Sequence, residues 1–537
     1  MSLTRLKPLS FKNLLQRVLE EYNKNKSIFG IEEKYFYRPD NKLDFSCKFR
    51  QKKAATPIGP AAGPHTQMAQ NIICSWLTGA RIIELKTVQI LDTLEIPDPC
   101  IDINNVCYNV EWSQELLIKE SVREYVKAWY IIQLLRSNKL VKIDINDESP
   151  LFDLSVGYDL KGIQSEKVMN FIRAMKNAGE IIKELSEEIP EELSHLNKIS
   201  IPTSIATGVT LSTFHGCPPD EIEKIAVFLL KEAELDTVIK LNPTLLGKKR
   251  LFEILHDKLG YYKVDVPDYA FENDLKFDIA IEMIKRLKNL AKGLERNFGV
   301  KFNNTLVVRN TKKYLYGHEM FMSGRPLFVI AMNLVAEFRK IFGKDIPVSF
   351  SAGIDALNFH QAVASDLVPI TLCTDLLKPG GYTRIKRILE NLSEKYKESS
   401  ASNRAEFILN GNPENGQKAF NKILDSKKWL SLREKDSLLK QFALKLKEKL
   451  AMQLPSLAYK QALETVLEQL APSAHGKVKE LYDEAVKEAG ILNTFSIIND
   501  LEYEKRYTEL HNSIKSPKVN KKGDMFDCVT APCLYAC

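Results

Sequence analysis

The chain of 537 residues is 44% hydrophobic and 27% charged, values that exclude general disorder and leave room for a large barrel and a second unit. Its net charge of +7, from 76 basic and 69 acidic residues, is too mild and too mixed for a nucleic-acid groove, although it suits a small anionic ligand. The sequence has no apolar run of the roughly 18 residues that a spanning helix needs, and no secretory h-region, so no membrane partner is expected.

Residues 1–22 carry Leu and Phe at helical spacing among Arg5, Lys7, Arg17 and Glu21, and read as a docking helix within an N-terminal segment 1–53. From 54 to 395, β-branched runs at 55–58, 80–88, 205–211, 237–241, 305–308, 347–351 and 367–372 alternate with amphipathic patterns at 219–234, 278–298, 327–342, 358–364 and 382–394. This alternation predicts an α/β fold with a parallel sheet. The number of strands favours a TIM (β/α)8 barrel over a doubly wound sheet. The charged stretch from about 112 to 200 reads as a helical insertion, and 396–513 as a separate all-α region. Residues 514–524 form a polar linker, and 525–537 hold a cysteine-rich segment.

Chemistry in such a barrel collects at the C-terminal ends of the strands. Thr56-Pro-Ile-Gly-Pro-Ala-Ala-Gly-Pro64 offers small residues that let the backbone approach a flat ligand, or else an ordinary turn. Lys86, in Ile82-Ile-Glu-Leu-Lys-Thr-Val88, ends an apolar strand, and Lys240 ends another. Two inward lysines at a barrel mouth need a polar or anionic partner. In Thr210-Leu-Ser-Thr-Phe-His-Gly-Cys-Pro-Pro-Asp220, Pro218 and Pro219 start a helix, so Cys217 sits where the helix dipole lowers a thiol pKa. Cys217, with His215 beside it, is therefore the expected proton donor or acceptor, although a structural thiol and a turn histidine fit the same pattern. Phe321-Met-Ser-Gly-Arg-Pro-Leu327, Ser349-Phe-Ser-Ala-Gly-Ile-Asp355 and Ile370-Thr-Leu-Cys-Thr-Asp375 occupy the places where barrel enzymes hold a phosphate.

Taken together and in order, these motifs resemble the FMN-binding barrels of dihydroorotate and dihydropyrimidine dehydrogenases from residue 54 to about 395. Pro57-Ile-Gly-Pro-Ala-Ala-Gly-Pro-His-Thr-Gln67, Glu84-Leu-Lys-Thr-Val-Gln-Ile-Leu-Asp92 and Phe214-His-Gly-Cys-Pro-Pro-Asp-Glu-Ile222 are more similar still to the N-terminal half of the selenate-reductase subunits of the YgfK type. The resemblance implies an FMN over the barrel mouth and an oxidoreductase acting on CH–CH type bonds, or on selenate. It places Ala62 and Gly63 in the first flavin loop, Lys86, Thr87 and Lys240 beside the ring, and Asn310 with Thr311 at the end of strand six. It places Ser323, Gly324, Ala352, Gly353, Cys373 and Thr374 on the phosphate side, and Asn109 on the substrate. Thr210 stands where the family keeps a substrate-contacting Asn. A hydroxyl cannot make the bidentate contact of an amide, so the expectation shifts from an ordinary pyrimidine to a purine-like or other conjugated heterocycle.

Cys528, Cys533 and Cys537 have C-x4-C-x3-C spacing, which suits a metal or cluster better than disulfides and resembles the opening of an iron–sulfur domain with a partial ligand set. The expectation is therefore a piece of a longer enzyme carrying 4Fe-4S clusters, FAD and NAD(P)H in further modules. The other cysteines are scattered, which fits a reducing cytoplasm. Expected partners are a small-molecule substrate, electron-transfer modules and a second copy of the chain. The rival readings are a dihydrouridine-synthase-like enzyme acting on tRNA, a non-catalytic scaffold of an electron-transfer complex, and a flavin-free barrel acting on phosphates.

Overall fold

In the computed structural model, which describes residues 6–91, 100–110, 113–145, 148–212, 214–311, 313, 315–426 and 478–514, eight short strands follow one another around a barrel. They are β1 (Ile58–Pro60), β2 (Ile82–Glu84), β3 (Leu151–Gly157), β4 (Gly208–Ser212), β5 (Asp236–Leu241), β6 (Phe298–Phe302), β7 (Val348–Phe350) and β8 (Ile370–Leu372). Each pairs in parallel with the next from β2 to β8, and β8 pairs with β1. The Arg81 N–H just before β2 donates to Ile58 O at 3.0 Å and closes the ring. Outside, amphipathic helices bury one stripe each. Thr383–Glu398, for example, buries Ile385, Ile388, Leu389, Leu392 and Tyr396, at three- and four-residue spacing.

Two expectations need correction. The stretch 112–200 is helical over Ile118–Arg136, Glu166–Lys176 and Gly179–Glu187, but it also contains β3. It is therefore part of the barrel rather than an insertion into it. Its strand was hidden because Asp153 and Ser155 interrupt the apolar run, and both point into the barrel interior, where they are buried. The run at 305–308 is not the sixth barrel strand. That place belongs to β6, and Leu306–Arg309 instead pairs antiparallel with Glu319–Gly324. These two strands join Val106–Asn109 and Ile101–Asp102 in a four-stranded antiparallel sheet made from the connections after β2 and β6.

The opposite end of the barrel is plugged. A hairpin, Cys47–Phe49 and Lys52–Ala54, packs Cys47, Phe49 and Ala54 against Ile82 and Val238. From its turn, Arg50 reaches inward, donating from Nη1 to Asp153 Oδ1 at 2.6 Å and from Nη2 to Val209 O at 3.0 Å. The N-terminal helix Phe11–Asn25 buries Phe11, Leu14, Leu15, Val18 and Tyr22, as its spacing predicts. Beyond the barrel, Arg404–Asn410, Pro413–Ser426 and Val478–Leu501 are helical and seat against it. Arg339 Nη1 donates to Gly490 O at 2.9 Å, and Asn493 Nδ2 donates to Ala364 O at 2.9 Å. No helix among the described residues is long and apolar enough to cross a membrane.

Candidate active site

A cavity of about 570 Å³ opens over the C-terminal ends of the strands. Its floor is charged. Lys301 on β6 is buried in the barrel centre, pairs with Glu84 on β2 and donates to Thr371 Oγ1 at 2.8 Å. Glu84 Oε2 also accepts from Ala62 N at 3.1 Å, tying the first loop to the centre. Burial alone would raise the Glu84 pKa. The Lys301 and Lys240 ammoniums and the hydrogen bonds from Lys301 and Ala62 outweigh it, so the carboxyl stays below its ordinary value.

Lys86 and Lys240 both line the cavity, and both act on Cys373 across it. Burial pushes the Cys373 thiol up to about 11, against the pull of the two lysines. This thiol lies 3.8 Å from His65 Nδ1, and His65 Nε2 lies 3.2 Å from Leu372 O. With a carbonyl at Nε2, the proton belongs there, which leaves Nδ1 to accept. Burial, reinforced by the Lys86 charge, lowers the His65 pKa to about 4 and keeps the ring neutral.

On the far side, Ser323 and Thr374 share a hydroxyl hydrogen bond of 2.7 Å. Gly324, at φ +92°, caps the helix Arg325–Phe342, and Gly353 has φ +53°. A Cβ on Gly353 would stand 2.3 Å from Gly324 O, so these two loops approach as only glycine allows. With Ala352 they form a cavity wall of small residues at a helix N-terminus, a fitting place for a phosphate. Thr87, whose hydroxyl lies 2.8 Å from Ser155 Oγ, and Asn109, whose Nδ2 donates to Val110 O at 2.8 Å, line the same cavity.

The remaining expected residues lie elsewhere. Thr210 is one layer deeper, donating to Asp153 Oδ2 at 2.6 Å in the network of Arg50. Ser212, two residues on, reaches the cavity instead. Asn310 is spent on its own hairpin, its Nδ2 donating to Leu315 O at 2.7 Å and Gly317 O at 3.0 Å, and Thr311 is exposed. The Asn-Thr pair at the cavity is Asn304 and Thr305, directly after β6. The sequence holds both pairs six residues apart, and the misplaced strand led to the wrong one.

Cys217 is 2% exposed and does not line the cavity. Burial and the nearby Glu221, Asp220, Asp274 and Asp159 carboxylates push its thiol up to about 12, the reverse of the lowering expected from the helix dipole. His215 holds the loop in place. Its Nδ1 lies 3.1 Å from Asp274 Oδ2, its Nε2 lies 3.1 Å from Thr305 O, and its ring stacks on Phe321. Cys528, Cys533 and Cys537 lie outside the described residues, among which no group of side chains could hold a metal ion.

Sequence reasoning missed Lys301 and Asn303 altogether. Asn303 lines the cavity and is 1% exposed, and among the described residues neither end of its amide has a hydrogen-bond partner. Such a group costs free energy until something binds it. The signal was a third Lys-containing apolar run, Phe298-Gly-Val-Lys-Phe302, like those around Lys86 and Lys240.

The model of one protein family, described as the oxidoreductase YgfK N-terminal TIM-barrel domain, matches residues 29–421. A protein of Escherichia coli strain K12, named as an oxidoreductase, YgfK, is 43% identical over 406 residues, covering 72% of this chain and 39% of its own. Its counterpart in Escherichia coli O157:H7 gives the same values, 43% over 406 residues. The chain thus spans about two-fifths of the length of the curated relatives it matches. Among solved structures, ligand-free DHODH from Eimeria tenella superposes with a TM-score of 0.44 at 13% identity, covering 72% of this chain and 94% of that one. The same enzyme in complex with ferulenol gives 0.43 at 13% identity, over 68% and 88%.

Proposed function

The chain belongs to the YgfK oxidoreductase family, whose N-terminal TIM-barrel domain it carries, and from that premise we propose that the cavity binds FMN and serves hydride transfer to or from a small conjugated substrate. The observation that carries this reading is the convergence of Lys86 and Lys240 on one cavity beside the unpartnered amide of Asn303. A flat ring with alternating donors and acceptors satisfies that amide and gives the two ammoniums an electron-rich edge. Bound there, FMN supplies a ring that takes up and gives back a hydride.

The chain's own groups do the rest. Ser323, Thr374 and the N-terminus of Arg325–Phe342 hold the phosphate. Lys86 and Lys240 stabilise negative charge at the cavity centre, and Glu84 with Lys301 keeps their surroundings near neutrality. Asn304 and Thr305 take the substrate-aligning role that the resemblance gave to Asn310 and Thr311, and Asn109 faces the same space. Cys217 has no part in this arrangement, because the loop that carries it keeps the thiol buried. Electron supply from iron–sulfur clusters, with Cys528, Cys533 and Cys537 among their ligands, and from FAD and NAD(P)H belongs to the same proposal.

The test is an absorption spectrum of the purified chain with its released cofactor identified, followed by assays with purines, pyrimidines and selenate. The expected result is FMN near one per chain, with at least about tenfold weaker retention in Lys86→Met and Lys240→Met. A colourless protein that cannot be reconstituted with FMN overturns the proposal.

A further inference from the structure

Glycine lets the two phosphate-side loops approach each other, but it does nothing to hold them still. The groups that fix them lie behind the cavity wall. Arg325, next to Gly324, donates from Nε to Asp355 Oδ2 at 3.1 Å, and Asp355 ends the loop Ser351-Ala-Gly-Ile-Asp355 after β7. That ion pair ties one loop to the other. Asn358, fully buried, donates from Nδ2 to Gly353 O at 2.9 Å and so holds the second loop at its glycine.

Both anchors are gripped by a segment from outside the barrel, 505–514. Arg325 Nη1 donates to Asn512 Oδ1 at 3.3 Å, a partner 187 residues further along the chain. Asn358 Nδ2 also reaches Tyr507 Oη at 3.4 Å. Tyr507 is fully buried and stacks on Phe328, in the first turn of the helix Arg325–Phe342, with ring centroids 5.7 Å apart and planes at 12°. The segment itself is pinned. Asn512 is 2% exposed, and its Nδ2 donates to Tyr261 Oη at 2.8 Å and Thr508 O at 3.0 Å. Glu509 N donates to Leu259 O at 2.8 Å, and Arg506 Nη2 to Gln361 Oε1 at 3.0 Å. The place of Asn512 Oδ1 is therefore set independently of Arg325.

We propose that Asn512 and Tyr507 are positioning residues for the phosphate-side loops, and that through them the segment 505–514 gives the cavity its preference for a phosphorylated flavin. Neither lines the cavity, so neither touches the cofactor. They act by holding the start of the helix Arg325–Phe342 and the Gly353 loop at one spacing, the condition for donors on both loops to meet a single phosphate. Lys86, Lys240 and Asn303, at the ring end, come from the ends of β2, β5 and β6 instead. The proposal rests on the flavin reading and adds to that site a part of the chain beyond the barrel.

The experiment is fluorescence titration of the purified chain, freed of cofactor, with FMN and with riboflavin, which lacks the phosphate. In Asn512→Leu, FMN binding should weaken by about tenfold while riboflavin binding stays within about twofold of the parent. Tyr261→Phe removes only the hydroxyl that accepts from Asn512, and should shift the FMN-to-riboflavin ratio the same way by a smaller factor. It serves as the test if Asn512→Leu does not fold. Equal weakening of both flavins overturns the proposal, because a merely structural role acts on both, and so does an unchanged ratio. A chain that binds neither flavin fails the flavin reading, and inorganic phosphate then becomes the probe. A rise in melting temperature with phosphate that is lost in Asn512→Leu upholds the positioning role, whereas an equal rise in both chains, or none in the parent, overturns it.

Discussion

His65 shows how strongly position overrides a residue's ordinary chemistry. The sequence offered it as part of a loop motif, and nothing in Pro64-His65-Thr66 announces a neutral, fully buried ring. Its folded pKa of about 4 lies below the ordinary 6.5, so the unfolded chain takes up the proton first on acidification. The penalty is absent above pH 6.5, grows as the pH falls through that window, and is complete below about 4. His360, also lowered by burial to about 4, adds to it in the same window. The melting temperature should therefore fall between pH 7 and 4.5 by the equivalent of roughly 1 kcal/mol per pH unit for each ring. His65→Gln should flatten the profile by about half, and an unchanged slope would show the ring to be protonated in the folded chain. Cys217 teaches the converse. A helix N-terminus is legible in Pro218-Pro219-Asp220, and so are the Asp220 and Glu221 carboxylates of its first turn, but the burial that weighs most on the thiol, and the Asp274 and Asp159 carboxylates, come only with the fold.

At the scale of elements, alternation of β-branched runs with amphipathic helices was enough to read a (β/α)8 barrel and most of its strand ends. It failed where polar residues enter a strand, as at Asp153 and Ser155 of β3, and where two apolar runs compete within a few residues, as at 298–302 and 305–308. The polar residues belong to the barrel interior, whose pairings (Arg50 with Asp153, Lys301 with Glu84) join segments far apart in the chain. Asp274 is another element-scale device invisible in the sequence. Buried to 4% exposure, it accepts from Gly216 N at 2.5 Å, Asn242 Nδ2 at 3.2 Å, Thr244 Oγ1 at 2.5 Å and His215. It thereby fastens the loop after β4 to the loop after β5. Asp274→Ala leaves these donors without their acceptor and should cost about 2–4 kcal/mol, with cleavage by a protease appearing first within 213–218. Loss of stability without new cleavage there would place its role elsewhere.

For the whole molecule, the two ends of the barrel are separate pieces of engineering. The Arg50–Asp153–Thr210 network and its hairpin close one end, and the cavity occupies the other. Arg50→Met strands a buried carboxylate and should destabilise the chain by about 3–5 kcal/mol, while flavin affinity below the melting transition stays within about twofold. A parallel loss of flavin would show the two ends to be coupled. The antiparallel sheet built from the connections after β2 and β6 has the opposite character. It makes one wall of the cavity out of chain segments about two hundred residues apart, with Phe321 opposite Asn109 and Ser323 opposite Cys107. Barrels are usually treated as scaffolds whose loops can be exchanged one at a time. Here neither connection is a module. A loop transplanted from a related barrel after β2 would arrive without its complementary strand, so these two segments must be inherited, or grafted, as a pair.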